Sequence, residues 1–575
     1  MNRPLTQVLL SLVAGIIVSD VLFYQQNEIP KWLGMATWGL CLLVIVVALL
    51  TWSKEYRKGL GRWLFPTLVS CFFIAVGFAR YAAYAEDVKE AWASMDRPPV
   101  NRGNPDEFDY VRWRWIQGVE DSASWTARLR NCALELRAAL AERYAIADMD
   151  AEAQAIVVAS TLGDRSQLNP QTRDLYAAAG ASHLLALSGL HLSIIVGLFL
   201  VLLNGRLYLS RWRPLLGALV VLFIWCYAFV AGLPTSLVRA SLMMTLFLAG
   251  SLSRRNGQPL HWLVLTALVM LLIRPVYLFD VGAQLSFAAV AGIVVLYRRI
   301  NRWAFSHWRQ QLYWLESHYL LWPLSLFTVS LCAQAFTFPL VAYYFHQIPL
   351  YAPLLNIVLI PMTTMLIYGS LFLLLIAFVP LCAPLVPLCG KALSLLVAAQ
   401  LYIMQFSTRL PGAVVHDFWS RKAVPQVVVY NNWRCPALHV IAAPDRSWLL
   451  MPEPDSLQSG MHYIASSFWR RRLTEEPQLL KGQSVTVGGF TAVMVDGELD
   501  EHSEYTQVDV LWLTKGFNYR DLNCLKEAFG PRLLVLDASL PRWQREALRS
   551  EASRVGWNVY DVSAKGALRF KLEAK

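Results

Sequence analysis

Charge is scarce in this chain. Asp, Glu, Lys and Arg make up 16% of its 575 residues and hydrophobic residues 56%, whereas a soluble protein carries about a quarter charged residues. With a mean hydropathy of +0.41, that shortage excludes an ordinary soluble enzyme. Several windows exceed the roughly 18 apolar residues that span a bilayer. Paired cysteines are also missing: the nine cysteines form no C-x-x-C, which excludes zinc-ribbon and iron–sulfur spacings. Cys41, Cys71, Cys226, Cys332, Cys382 and Cys389 lie in apolar stretches, where a thiol acts as a small hydrophobe. Cys132, Cys435 and Cys524 lie in polar stretches that do not define a pairing. No G-x-x-x-x-G-K-[ST] occurs, so no nucleotide is hydrolysed through a P-loop. Internal repeats and low-complexity tracts are absent as well.

What is present reads as a polytopic α-helical membrane protein with a C-terminal soluble α/β domain. Met1 to Phe23 carries Arg3 and an apolar run without a small-residue cleavage site, as expected of a retained first span. Residues 1–84 hold three expected spans, near 5–23, 32–52 and 64–84. The loop Ser53–Trp63 contains Lys54, Arg57, Lys58 and Arg62 and is expected to be cytoplasmic by the positive-inside rule. The net charge of +11 has the same explanation, although nucleic acid or anionic lipid would also be attracted to it. The third span then delivers residues 85–181, a polar linker and helical region, to the outer side. Within it, helices are expected near 124–145 and across 151–181, with a break at Gly163-Asp164-Arg165.

Residues 182–410 form a second membrane block. Its basic loops, Arg206–Arg213, Arg254-Arg255 and Tyr297–Trp303, separate spans near 183–204, 214–232, 234–252, 258–273, 281–297, 319–341, 352–378 and 383–406. With the first three, that gives about 11 spans, and the parity puts residues 411–575 on the outer side. Arg274-Pro275 and the stretch from Asn356 to Pro361 suggest broken or re-entrant helices, which survive at membrane depth only inside protein or along a wet cavity. Residues 411–575 show short β-rich runs, 427–430, 438–441, 448–451, 484–487, 491–495, 508–513 and 533–536, with helices near 523–529 and 542–555. Gly488-Gly489 reads as a hairpin turn.

The second block carries polar residues where lipid does not tolerate them. Ser182-His183-Leu184-Leu185-Ala186-Leu187-Ser188-Gly189-Leu190-His191 opens a long apolar stretch. Arg239, Gln284, Gln334 and Asn356 sit in or beside later spans. Such groups suit an aqueous or anion-lined path, with Arg and helix N-termini for phosphates and amides for hydrogen bonds. Hydrogen bonds between packed helices explain each of them equally well, and Arg239 can snorkel to the interface. The lining candidates are therefore His183, Ser188, His191, Arg239, Gln284, Gln334 and Asn356. Ser188 and His191 also admit an intramembrane hydrolase pair, but they share one helix and no Asp is evident to orient the imidazole.

Linked segments in fixed order carry a resemblance: Asn104-Pro105-Asp106-Glu107-Phe108-Asp109-Tyr110 with Gln117-Gly118, then Gly163-Asp164-Arg165, Ser182 to His191, Pro234 to Ala240, Gln284-Leu285-Ser286-Phe287, and Asn356 with Pro361. They resemble the ComEC competence channel family, well over residues 100–410 and loosely on both flanks. The resemblance implies an inner-membrane channel that passes single-stranded DNA into the cytoplasm during natural transformation. It also implies an OB-fold and a metallo-β-lactamase-like C-terminal domain outside the membrane. The implied partners are single-stranded DNA, the lipid bilayer, the DNA-uptake machinery and a cytoplasmic helicase, and a homo-oligomer is compatible with it. The alternatives are a membrane-embedded hydrolase or a degenerate paralogue that transports another polyanion.

The sequence departs from the family pattern twice. Only about twenty residues separate the third span from Asn104, too few for a five-stranded OB barrel, so that region is expected to be missing or reduced. Val508 to Thr514 resembles the strand before the family's Thr/Ser-His-x-His-x-Asp-His metal motif. The aligned ligand positions hold Lys515, Phe517, Tyr519 and Arg520, none a normal zinc ligand, and His439, His462 and His502 do not rebuild the spacing. A degenerate domain that binds no metal and cuts nothing is expected, with no cofactor and no enzymatic activity. Asp537 matches either a later active-site position or a strand-end cap.

Overall fold

The structure is a computed structural model that describes residues 3–25, 61–95, 99, 101–104, 109–117, 125–202, 213–252, 258–311, 318–416 and 424–452. Beyond these it describes 465, 468–469, 473, 477–480, 482–487, 489–497, 508–517, 522, 525 and 529–572. The span expected near 32–52 and the basic loops 206–212 and 254–255 lie outside the described residues. The chain forms two compact units, residues 1–95 with 116–415, and residues 96–115 with 416–575.

The first unit is helical. Among the described residues six helices are long and apolar enough to cross a membrane: Leu5–Leu22, Pro66–Ala93, Val281–Arg302, Pro323–Phe345, Ala352–Ile376 and Leu385–Thr408. Pro214–Val230, Thr235–Gly250 and Pro259–Ile273 are shorter apolar helices at the positions of further expected spans.

The helices Arg3–Gln25 and Gly61–Ala93 pack at backbone distance through two glycines. A Cβ on Gly15 would overlap the backbone of Ile74, and one on Gly77 the backbone of Leu12. Small residues at such a seam let membrane helices approach closely. The polar groups within the pair satisfy one another: Gln7 Nε2 donates to Ser70 Oγ at 2.8 Å, Ser19 Oγ to the Phe78 carbonyl at 3.2 Å, and Tyr81 Oη to Asp20.

Residues 151–181, grouped with the outer polar region by composition, fold within this helical unit. Ala151–Leu162 is buried along most of its length and shares one apolar core with Leu359, Leu366 and Leu373 of the Ala352–Ala377 helix and Leu393 and Val397 of the Leu385–Thr408 helix. Its alanines and β-branched residues give a smooth surface on every side, which buries well without amphipathic periodicity. Gly163, at φ +79°, ends the helix in a left-handed cap. Asn169 then caps the Pro170–Ala178 helix through Gln171 N at 3.1 Å, with proline at its first position.

Two expected breaks have different outcomes. At Arg274-Pro275 the Pro259–Ile273 helix does stop, and a 3-10 turn, Pro275–Phe279, leads into Val281–Gln311. At Pro361 the Ala352–Ala377 helix runs on without interruption, because proline removes one helical bond without removing the packing around it. A third break appears inside the span expected at 183–204. The short helix Ser182–Leu185 ends, Ala186 to Ser188 are non-helical, and a new helix runs Gly189–Leu202.

The second unit is a two-sheet sandwich. Its strands are β3 (Gln426–Val429), β4 (Leu438–Ala443), β5 (Arg446–Leu450), β6 (Gln478–Leu480), β7 (Ser484–Val487), β8 (Phe490–Val495), β9 (Val510–Leu513), β10 (Leu533–Leu536), β11 (Val559–Asp561) and β12 (Leu568–Lys571), after a short β1–β2 pair at Gln347–Pro349 and Val414–His416. One sheet runs β12-β3-β4-β5-β6, antiparallel except for β5–β6. The other runs β11-β10-β9-β8-β7 and is parallel from β8 to β11. Val487 pairs with Phe490 across the expected hairpin.

Strand alternation sorts the side chains into layers. Val427, Val429, Leu438 and Val440 meet Val510, Trp512 and Val535 between the sheets. Val428, Ile441 and Leu449 turn outward to Phe468 and Trp469, and Leu511, Leu513, Leu534 and Leu536 turn outward to Leu548 and Ala552 of the Arg542–Arg554 helix. The two sheets thus face one another, with the Arg542–Arg554 helix on the outer side of the second.

Residues 101–104 join this second unit. Asn104 is 3% exposed, and its Oδ1 accepts from Asn431 N at 2.7 Å. The Arg102 carbonyl accepts from Ala567 N at 3.1 Å and from Asn431 Nδ2 at 3.0 Å.

The glycine seam yields a test. Gly77→Leu forces the first helix pair apart at a backbone contact, and overpacking of this kind costs about 1–3 kcal/mol or more. The thermal midpoint of the full-length protein in detergent is expected to fall, while an exposed neighbour on the same helix, Ile74→Leu, leaves it close to wild type.

Candidate functional site

The sequence-derived lining residues divide into two groups. Three amides make hydrogen bonds between elements of the helical unit. Gln284 Nε2 donates to the Leu278 carbonyl at 2.8 Å, and its Oε1 accepts from Tyr344 Oη at 2.8 Å, tying Val281–Gln311 to His318–Phe345. Gln334 Nε2 donates to the Pro349 carbonyl at 2.9 Å, and Asn356 Nδ2 to Ser330 Oγ at 3.3 Å. Bonds of this kind join packed elements in an apolar unit.

The other group gathers around the break at Ala186–Ser188. His183 lies on the exposed face of its short helix, with Nδ1 3.2 Å from the Gly180 carbonyl. Ser188 Oγ and His191 Nδ1 lie 2.9 Å apart, close enough to bond although both sit on one chain turn. His191 is fully buried, and its Nε2 has no hydrogen-bond partner among the described residues. Arg239 reaches the same place from the Thr235–Leu252 helix. A Cβ on Gly189 would stand 3.6 Å from Arg239 Nη2 and 3.3 Å from the Ala240 Cβ, so a methyl group there would touch the guanidinium and crowd Ala240.

Arg239 is 4% exposed. Its Nη1 donates to the Ser286 carbonyl at 3.0 Å, its guanidinium lies 5.6 Å from the centroid of the Phe287 ring, and its Nε has no partner. Among the described residues no carboxylate pairs with it. A buried cation without a counter-charge costs several kcal/mol.

Residues that the sequence did not single out hold this region together. Ser236 Oγ donates to the Leu187 carbonyl at 2.7 Å, inside the break. Thr235 Oγ1 donates to Asp280 Oδ2 at 2.8 Å, and the same oxygen accepts from Ala283 N at 2.8 Å. The short Thr-Ser pair after Pro234 and the lone acid before Val281 were the available signals. What neither reveals in one dimension is that they meet.

In the second unit, the aligned metal positions hold no metal-ligand set. Lys515 is exposed, and its backbone N donates to Ser539 Oγ at 3.0 Å. Phe517 is 3% exposed within the outer apolar layer. Tyr519 and Arg520 lie outside the described residues. Among the described residues no three of His, Cys, Asp and Glu are placed to hold a metal ion, and an ammonium and a phenyl ring do not fit one. Asp537 acts as a strand-end cap: Oδ1 accepts from Ser539 N at 2.7 Å and Oδ2 from Trp512 Nε1 at 3.0 Å. Burial pushes its carboxyl up to about 6, against the pull of those hydrogen bonds.

His439 is fully buried beside Tyr430, Phe468 and Trp469, its Nδ1 3.0 Å from Tyr430 Oη. Burial pushes its imidazole down to about 3. The unfolded chain binds this proton near pH 6.5, so stability is lost as pH falls from about 6.5 toward 3, by about 2 kcal/mol at pH 5. His439→Leu is expected to remove that share of the loss. Denaturant midpoints of the full-length protein at pH 7.5 and pH 5 check it, since an equal pH effect in both proteins would contradict it.

Residues 160–433 match the family described as "Competence protein", and residues 427–572 match "ComEC C-terminal domain". ComE operon protein 3 of Bacillus subtilis is 30% identical over 270 residues, 45% of this chain and 32% of its own length. Recombination protein 2 of Haemophilus influenzae is 26% identical over 271 residues, 45% of this chain and 33% of its own. Competence protein ComA of Neisseria gonorrhoeae is 28% identical over 234 residues, 39% of this chain and 30% of its own. The matched stretch thus spans about a third of each relative. No solved structure matches the chain. The two family matches adjoin, the first over most of the helical unit and the second over the sandwich, and this multi-pass membrane protein belongs to the ComEC/Rec family.

Proposed function

We propose that the chain conducts single-stranded DNA across the bacterial cytoplasmic membrane during natural transformation, through the helical unit and without enzymatic activity of its own. The observation that carries this is the competence-family match over residues 160–433, which contains the broken segment Ser182–His191 and the buried, unpaired Arg239. A strand of phosphates crossing a low-dielectric layer needs cationic and hydrogen-bonding groups inside the protein. With no P-loop in the sequence, force comes from a partner such as a cytoplasmic helicase. About 11 spans and self-association both remain compatible with this arrangement.

The C-terminal unit is proposed to be a metallo-β-lactamase-like sandwich that has lost its metal chemistry. Its two facing sheets, with the Arg542–Arg554 helix packed on the outside of one, support the fold, and Lys515 and Phe517 at ligand positions support the loss. We place it outside the cytoplasm. Residues 96–115 and 416–575 form one unit, so both face one compartment. The basic loop before the Gly61–Ala93 helix holds Lys54, Arg57 and Lys58, which puts the far end of that helix, and hence this unit, outside.

One observation favours a second reading. The Ser188 Oγ···His191 Nδ1 distance of 2.9 Å is that of a nucleophile and a base, although no carboxylate orients the imidazole among the described residues. Purified protein would then lose hydrolytic turnover on Ser188→Ala, whereas a conduit has no turnover to lose.

Two measurements test the leading reading. Deleting the gene is expected to leave DNA binding at the cell surface intact while abolishing passage into the cytoplasm and transformation; persistence of both would sink the channel. Alkaline phosphatase fused after Lys575 is expected to be active and a green fluorescent protein fusion dark. The opposite pair would place the sandwich in the cytoplasm.

A further inference from the structure

Two positive ends meet at Gly189. The Gly189–Leu202 helix begins there after the break, and its macrodipole brings about half a positive charge to that end. Its first turn is not capped by a side chain: Ser188 Oγ is turned to the His191 ring. The N–H groups of Gly189, Leu190 and His191 find no acceptor among the described residues, the first bond of the helix being Leu192 N to the Ser188 carbonyl. The guanidinium of Arg239 sits beside the same turn, with Nη2 3.6 Å from where a Gly189 Cβ would be, Nε unpartnered, and the residue 4% exposed. A cation at a helix N-terminus is the reverse of the favourable arrangement.

The neighbouring helix provides an internal contrast. At the start of Val281–Gln311 the Asp280 carboxylate accepts from Ala283 N at 2.8 Å and from Thr235 Oγ1 at 2.8 Å, so this N-terminus carries its own anion. The Gly189 N-terminus has an arginine where the other has an aspartate. Ser188, Gly189 and Leu190 are only half-buried, so a small anion can reach the N–H groups, while Arg239 beneath them is closed off from bulk water.

We propose that the N-terminal turn of the Gly189–Leu202 helix and the Arg239 guanidinium form an anion site that takes a phosphate group of the translocating strand. Backbone N–H groups hold one oxygen at the helix end, as helix N-termini do for phosphates. The free edge of the guanidinium takes another, in the geometry that suits arginine to phosphate. The site rests on the channel reading only for the source of the phosphate.

The probe is inorganic phosphate. Full-length protein in phosphatidylcholine nanodiscs is melted against rising phosphate, with chloride replaced at constant ionic strength, and then against a short oligothymidylate. A ligand that binds only the folded state raises the melting temperature with its concentration. Wild type is expected to respond to both ligands, and Arg239→Gln to weaken both responses by about 10- to 100-fold in apparent affinity. Without added phosphate, Arg239→Gln is expected to melt no lower than wild type, because it removes an uncompensated charge.

If Arg239→Gln does not fold, Gly189→Ala decides. It keeps the guanidinium and sets a methyl group between it and the helix end, and it is expected to weaken phosphate binding in the same sense. No phosphate-specific shift in wild type, an equal shift in both variants, or a shift seen only in phosphatidylglycerol nanodiscs overturns the site; the last would assign the cation to a lipid headgroup. Transformation of a strain carrying Arg239→Gln separates this from the channel reading. Phosphate binding that depends on Arg239 upholds the site even where DNA passage is unchanged, whereas passage lost on gene deletion but no phosphate binding by the protein rejects the site and leaves the channel.

Discussion

Within an apolar helical unit, a polar group must be satisfied by protein or by something the protein binds. Much of the helical unit follows from that constraint. The amides of Gln284, Gln334 and Asn356 each reach a hydroxyl or a carbonyl on another element. The interruption at Ala186–Ser188 is bridged by Ser236 Oγ on the Leu187 carbonyl, and the turn at Pro275–Phe279 is held by Gln284 on the Leu278 carbonyl. Glycines at helix seams allow the close approaches that such short bonds need. Arg239 is the charged exception, with His191 Nε2 and Ser241 Oγ as neutral ones: it is bonded to a single carbonyl and has no counter-charge among the described residues.

In the proposed conduit, that exception is what a transport path requires. A conduit must hold its cargo well enough to admit it and loosely enough to release it. A full ion pair inside the protein would neutralise the arginine, and a cluster of arginines would trap a phosphate chain. One guanidinium at the mouth of a helix dipole, with the turn above it half open, sits between these extremes. The break before Gly189 matters for the same reason, since it creates a helix end, with free N–H groups, in the interior of an apolar segment.

The sandwich is organised by a different principle. Strict alternation along β3, β4, β9 and β10 divides side chains between the inter-sheet core and the outer layers, and several strand ends carry polar residues. At one of those ends Asp537 closes a turn against Ser539 and Trp512, while the Lys515 backbone N bonds Ser539 Oγ and Phe517 joins the outer apolar layer. Asn104 and Arg102 tie residues 101–104 to the same unit through Asn431 and Ala567, which gives the Asn104 motif a structural role.

Linked motifs in fixed order carried the family resemblance, while composition and periodicity determined the membrane class, the six long helices and seven strands of the sandwich, β3 to β5 and β7 to β10. These properties depend on local hydrophobic patterning, which one dimension records. The short strands β6, β11 and β12 escaped, because three or four residues with charged or polar neighbours carry no period. The helix Ala151–Leu162 was visible as a helix but not as part of the helical core, since its burial is imposed by the two long helices packed around it. Ser188, His191 and Arg239 were legible as polar groups in apolar surroundings, and so were the three amides. Only the tertiary structure separated them. Whether a buried polar group is satisfied depends on which atoms lie within about 3 Å of it, and those atoms come from residues tens of positions away.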